Sequence, residues 1–310
     1  MSVEEKHLLD PLVSLFDISR PVDWKEVFNR DVPLDVEIGF GIGEFLARRT
    51  TDFPERNIVG IEQIWERTYK ALKKIKDLSP YRFIKILHID AWVAFERLFD
   101  LKTIDKIFCL YPCPWPKKGH IKHRLFSHDF LKLLNSRLKN GGEITLVTDF
   151  YPFFEWVLNE SLETGFTVKT KKISPQYDTK FERKWIGGGQ EQFFEIYFKK
   201  VEHQNVNSKR DEDLRVYKIK NFDSKTFQFS DYKEDIAVIF KDMLFDDEQE
   251  RAMIHLIVSE EHLVQHFWVS VKKEKDHWII AKAEGQNFFP TTGVAKAIEL
   301  VFESAQHSCE

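Results

Sequence analysis

Three cysteines in 310 residues leave little room for cysteine chemistry. Cys109, Cys113 and Cys309 form neither a zinc-ligand spacing nor an even disulfide framework, so no metal is expected and a reducing, cytoplasmic setting fits. Long apolar runs are missing too. No segment approaches ~18 consecutive apolar residues, so neither a membrane span nor a membrane partner is expected. The opening stretch MSVEEKHLLDPLVSLF carries acids where a secretory leader carries bases and then an apolar run, and is not expected to be one. There is no internal repeat and no low-complexity tract. What is present is ordinary hydrophobic content with 28 Phe and 8 Trp, enough to bury a substantial core. The length suits one large α/β domain and a smaller one.

Charge is divided unevenly. Residues 1–200 hold 32 Lys/Arg against 29 Asp/Glu, whereas 201–310 hold 14 against 21. A basic middle followed by an acidic tail suggests two units with different tasks. From 34 to 199, strand and helix patterns alternate. Apolar runs at 34–38, 57–62, 83–89, 104–111 and 143–149 read as buried strands. Helical patterns fill the gaps, among them 45–50, 91–99 and 151–163. Trp65, Tyr69, Leu72 and Ile75 recur at helical spacing with lysines on the other face, and Asn140-Gly141-Gly142 reads as a helix stop. Two last strands, 166–173 and 191–200, have a loop rather than a helix between them, which suggests an antiparallel edge. Strand-helix alternation of this kind implies a parallel sheet covered on both faces.

The strand ends carry the chemistry. Glu37-Ile38-Gly39-Phe40-Gly41-Ile42-Gly43 leaves the first strand and opens a helix. Glycines there let the backbone approach a ligand, and the helix start offers N–H groups. Glu62 ends the second strand, where an acid can accept from both ribose hydroxyls of a nucleoside. Asp90, followed by Ala91, ends the third, where a carboxylate can accept from an adenine amino group. Leu46 stands where a dinucleotide fingerprint has its third glycine, so the set favours S-adenosylmethionine over NAD.

The fourth strand leads into Tyr111-Pro112-Cys113-Pro114-Trp115-Pro116-Lys117-Lys118-Gly119-His120-Ile121-Lys122-His123-Arg124. Pro112, Pro114 and Pro116 stiffen the turn, Trp115 offers an aromatic face, and a dense basic run follows. Cations beside an aromatic suit a nucleic-acid backbone next to a base.

With EIGFGIG (37–43), GIE (60–62), DA (90–91), YPCPWPKKGHIKHR (111–124), TDF (148–150) and TKFERK (179–184), the segment from about 35 to 198 resembles the bacterial tRNA (guanine-N7)-methyltransferase family. The resemblance implies a class I, Rossmann-like methyltransferase domain with a mostly parallel seven-stranded sheet and an antiparallel edge. It implies methyl transfer from S-adenosylmethionine to a guanine in the tRNA variable loop. Glu37, Gly39, Gly41, Gly43, Glu62, Asp90, Ala91 and Cys113 would then hold the cofactor, with Cys113 and Asp149 at the catalytic positions. Lys117, His120, Lys122, Arg124, Asp149, Thr179, Lys180, Phe181 and Glu182 would bind tRNA. Gly119 and His123 stand where the family usually has Arg. Cys113 stands where it has Asp, a residue treated as catalytic. Asp149, on the adjacent strand end, is the acid expected to cover that role. Cys113 also leaves open a silent RNA-binding protein on this scaffold, or a methyltransferase for another guanine-containing RNA.

The expected organisation is a methyltransferase domain over 1–200 with a lead-in at 1–33, a polar linker at 201–213, and an acidic α+β unit at 214–310 closing on a helix at 293–306. The resemblance is expected to stop before this last unit. His255, His262, His266 and His277 show no metal spacing there and read as core or surface histidines. Either a monomer or a homodimer fits.

Overall fold

The computed structural model describes residues 8–78 and 81–307; Cys309 and residues 1–7 lie outside the described residues. The chain divides into two compact units, Met1–Lys209 and Arg210–Glu310.

The first unit is built on seven strands: β1 Leu34–Ile38, β2 Asn57–Glu62, β3 Ile84–His88, β4 Ile104–Leu110, β5 Leu138–Thr148, β6 Phe166–Ile173 and β7 Phe193–Lys200. Their order is β3-β2-β1-β4-β5-β7-β6, and only β7 runs against its neighbours. Strands β1 and β2 are buried along their whole length, as helix-covered parallel strands are. The helices that follow or flank these strands include α1 Trp24–Phe28, α2 Glu44–Asp52, α3 Trp65–Ile75, α4 Ala91–Arg97, α5 His128–Arg137, α6 Tyr151–Glu160 and α7 Lys180–Gly187. The sheet reverses direction of growth between β1 and β4, so a crevice opens at their carboxyl ends, where ligands of open α/β sheets bind.

Four details differ from the sequence expectations. Helix α5 ends at Arg137, and Asn140-Gly141-Gly142 lies inside β5, where Gly141 at φ +73 accompanies a register shift against β4. On α3 the buried residues are Thr68, Ala71, Leu72 and Ile75, so Trp65 and Tyr69 face solvent. The loop expected between the last two strands contains α7, capped by Thr179. The stretch expected as a free linker is tied down over its first half: buried Arg137 donates to Val206 O at 2.6 Å, and Asn135 Nδ2 donates to Glu202 O at 2.9 Å.

The second unit is a six-stranded antiparallel sheet in the order β8-β13-β12-β11-β10-β9, formed by β8 Tyr217–Ile219, β9 Tyr232–Lys233, β10 Ala237–Asp246, β11 Arg251–Glu260, β12 Leu263–Glu274 and β13 His277–Lys282. Helix α8, Thr292–His307, buries Val294, Ala297, Ile298 and Val301 in a core shared with Ile254, Leu256, Phe267 and Val269. His255 lies flat against Trp268, with ring centroids 4.8 Å apart.

Candidate active site

The cleft starts where β1 ends. Gly39, Gly41 and Gly43 all adopt positive φ, and Gly43 is the residue before α2. A Cβ on Gly41 would meet nothing within 4 Å, which leaves its backbone open to a ligand. Gly43 has a different reason. Its Cβ would lie 2.9 Å from Ala71 Cβ, so the glycine permits close packing of α2 on α3. Gly43→Ala therefore combines a left-handed backbone penalty with overpacking, about 2–4 kcal/mol in all, and thermal melting should fall by several degrees.

Glu37 is 3 % exposed and its Oε2 is buried without a hydrogen-bond partner. Burial pushes its carboxyl up to about 8, against the pull of Arg48, with Glu62 adding to the rise. A buried orphan oxygen beside open glycine backbone is a place for a ligand that brings a positive charge or an N–H, because such groups are seldom left unpaired. Glu62 is buried too. It accepts from Gly41 N–H at 3.2 Å and from Ile64 N–H at 3.1 Å, and Arg67 lies 3.7 Å away. Asp90 caps α4, accepting from Trp92 N–H at 2.8 Å, with Ala91 as the first helical residue.

On the other side of the crevice, Tyr111 leaves β4 at φ +59, an uncommon conformation for a residue with a side chain. Three contacts hold it: its N–H donates to Val147 O at 2.8 Å, its ring is buried, and its hydroxyl donates to Glu182 Oε1 at 2.8 Å. Burial and then Glu182 push the phenol upward, so it stays a donor. The turn it begins presents Cys113 at the surface and Trp115 half-buried against His120 and His123, 5.6 and 5.3 Å between centroids. Asp149, one residue past the neighbouring β5, is half-buried, and burial raises its carboxyl above the usual range.

Helix α7 closes the site. Thr179 caps it by accepting from Glu182 N–H at 3.2 Å. Glu44, first residue of α2, accepts from Lys180 N–H at 2.6 Å and pairs with Arg183, while Arg48 donates to Tyr177 O. The α7 loop is thus fastened to the glycine-loop helix. One cleft of about 420 Å³ results, and Glu37, Gly39, Gly41, Thr179, Lys180 and Phe181 all line it. Three residues expected for the cofactor and three for the substrate thus meet in one space, whereas Glu62, Asp90, Cys113 and Asp149 are not among its lining residues.

Lys117, His120 and Lys122 are exposed along the turn after β4. Two other residues expected to grip RNA are placed differently. Arg124 is 7 % exposed and donates to Pro114 O at 2.9 Å, lying 5.1 Å from the Trp156 ring. Glu182 is 1 % exposed, and its Oε1 also accepts from Gln176 and Tyr177 N–H. Both are spent inside the protein, where they shape the loops that face the substrate. Sequence reasoning missed Tyr111, Glu44 and Arg183. The Thr179-x-x-Glu182 capping signature announces α7, but nothing local announces the Glu44–Arg183 pair.

A family profile described as a putative methyltransferase matches residues 31–195. The tRNA (guanine-N(7)-)-methyltransferase of Chlorobium phaeobacteroides is 41% identical over 181 residues, 58% of this chain and 88% of that one. Proteins of the same name from Aquifex aeolicus and Coprothermobacter proteolyticus are 28% and 27% identical. Their alignments cover 86% and 91% of this chain, and 92% and 89% of theirs. The similarity therefore continues into the second unit, contrary to the expectation that it stops before residue 201.

Proposed function

We propose that this chain, which belongs to the tRNA (guanine-N(7)-)-methyltransferase family, binds S-adenosylmethionine in the Glu37 cleft and methylates N7 of a guanine in the tRNA variable loop. The observation that carries this reading is the single cleft in which Glu37 and the glycine loop face Thr179, Lys180 and Phe181. Glu37, the glycine backbone, Glu62 and Asp90 with Ala91 hold the cofactor. Bound there, the cofactor supplies an electrophilic methyl group on a sulfonium.

The chain's own residues have an unusual amount of freedom in this reaction. Guanine N7 carries an in-plane lone pair and no proton, so no residue has to act as a base. The rate then comes from orientation, holding N7 in line with the methyl group. Asp149 accepts from the guanine N–H edge or stabilises the positive charge that grows on the ring. Tyr111 and Glu182 set the loops around it, and Lys117, His120 and Lys122 meet the phosphates.

The test is methyl transfer from radiolabelled S-adenosylmethionine to an unmodified tRNA transcript, beside the same transcript with its variable-loop guanine changed to adenine. Label is expected on the first and not the second. Cofactor binding with no label on either would replace this reading with a silent RNA-binding protein, and equal label on both would move the target elsewhere.

A further inference from the structure

Helix α3 buries Thr68, Ala71, Leu72 and Ile75, and this leaves a second stripe on its outer side. Trp65 is 47 % exposed, Tyr69 38 %, and Lys73 follows with its ammonium 4.5 Å from the Tyr69 ring centre. The two rings are 6.4 Å apart, and Trp65 stands edge-on to His88 at the end of β3, 5.3 Å away. Neither ring is needed by the core of this unit, since the buried face of α3 is complete without them. Between 65 and 77 the chain carries Arg67, Lys70, Lys73, Lys74 and Lys76 against Glu66 and Asp77. Ion pairs engage Lys70 with Glu66, Lys74 with Glu44 and Arg67 with Glu62, so the cations nearest the cleft are occupied. Lys73 and Lys76 lie further along the helix, both exposed.

We propose that Trp65, Tyr69 and Lys73 form a stacking site for unpaired bases of the tRNA substrate. Three observations select RNA as the occupant. Exposed aromatic faces with a cation beside them, as Lys73 stands beside Tyr69, suit bases joined by phosphates. The stripe is continuous with the cleft, because Ile64 and Arg67, its flanking residues, line that cavity. And two rings with one isoleucine offer far less than the roughly 800 Å² per partner that a stable protein–protein interface buries. The site lies on the β2–β3 side of the crevice, away from the basic turn after β4, so it gives the RNA a second hold and fixes its direction across the strand ends. The inference rests on the tRNA-methyltransferase reading.

The experiment uses the full chain and an unmodified tRNA transcript. Trp65→Ala and Tyr69→Ala are each expected to weaken tRNA binding by roughly tenfold, a loss within the range for one base–aromatic stack. They should raise KM for tRNA while kcat at saturating tRNA holds. Trp65→Phe and Tyr69→Phe retain a ring and should recover most of the affinity. Lys73→Gln should lower the slope of log affinity against log salt by about one. Thermal melting of each variant reports on folding, and titration with S-adenosylhomocysteine reports on the cofactor site. Unchanged tRNA affinity in correctly folded alanine variants that still methylate tRNA overturns the stacking site and leaves the enzymatic reading intact. Loss of S-adenosylhomocysteine affinity with no change for tRNA assigns Trp65 to the cofactor instead. A wild-type chain that neither binds nor methylates tRNA removes the reading on which the inference rests, and the inference with it.

Discussion

Glu37→Gln is expected to weaken S-adenosylmethionine binding by about 30- to 100-fold near pH 8 and to flatten its pH profile. The size follows from losing a buried, charge-assisted contact, worth roughly 2–3 kcal/mol. The profile follows from the carboxyl itself. Burial pushes Glu37 up to about 8, so the free protein at neutral pH mostly holds a proton there. A cationic ligand favours the ionised carboxylate and must expel that proton. Affinity of the wild type should therefore fall by up to tenfold for each pH unit below about 8 and level off above it. Glutamine has no proton to expel, so its weaker affinity should not change along this axis. Stability of the ligand-free protein moves the opposite way. A carboxyl raised on folding stabilises the fold fully below its ordinary range, and this contribution is lost as pH climbs through about 8. Without ligand, Glu37→Gln should thus melt above the wild type at about pH 8.5 and close to it at about pH 5. Calorimetric titration and melting curves check both halves. Wild-type affinity that is flat between about pH 6 and 8, with the variant binding equally well, would remove Glu37 from the cofactor site.

The parts of this site that could be read from sequence are those set by local pattern. Apolar runs and the helical stretches between them give the sheet, and an acid or glycine at each strand end falls at the crevice because parallel strands all point the same way. The rest depends on contacts between segments far apart in the chain. Tyr111 adopts positive φ because Val147 and Glu182 hold it, residues 36 and 71 positions away. The stretch after residue 200 reads as linker by composition, yet Arg137 and Asn135 bind its backbone, and neither announces this from α5. On α3 the pattern was ambiguous rather than silent. Leu72 belongs both to a stripe through Trp65 and Tyr69 and to one through Thr68 and Ile75, and helical spacing alone does not say which turns inward. Large aromatic side chains tilt that choice toward Trp65, because apolar residues are usually buried. The surface position of both rings is the exception on which a binding role can be built.

The second large effect separates Asp149 from Cys113. Asp149→Asn should lower kcat by about 10²- to 10³-fold, the range for removing one preorganised group that stabilises developing charge. Cys113→Ala should change kcat by less than about threefold. The thiol is exposed on a proline-stiffened turn, and without ionising it offers no negative charge to a cationic product. Asp149 offers one from a half-buried position at the end of the adjacent strand, and asparagine keeps its shape while removing that charge. Because burial raises the Asp149 carboxyl, wild-type turnover should begin to fail at a higher pH than an ordinary aspartate would dictate, as protonation removes the charge. The acidic limb of the kcat profile should vanish in Asp149→Asn, whose residual rate comes from orientation alone. A merely structural Asp149 would lower melting temperature without moving that limb. The reverse result, full turnover in Asp149→Ala and none in Cys113→Ala, would place the chemistry on the thiol. Cys113→Asp completes the set. If Asp149 already supplies the charge and the turn after β4 faces the same base, a carboxylate at 113 should add little to Asp149-intact protein but restore part of the rate to Asp149→Asn.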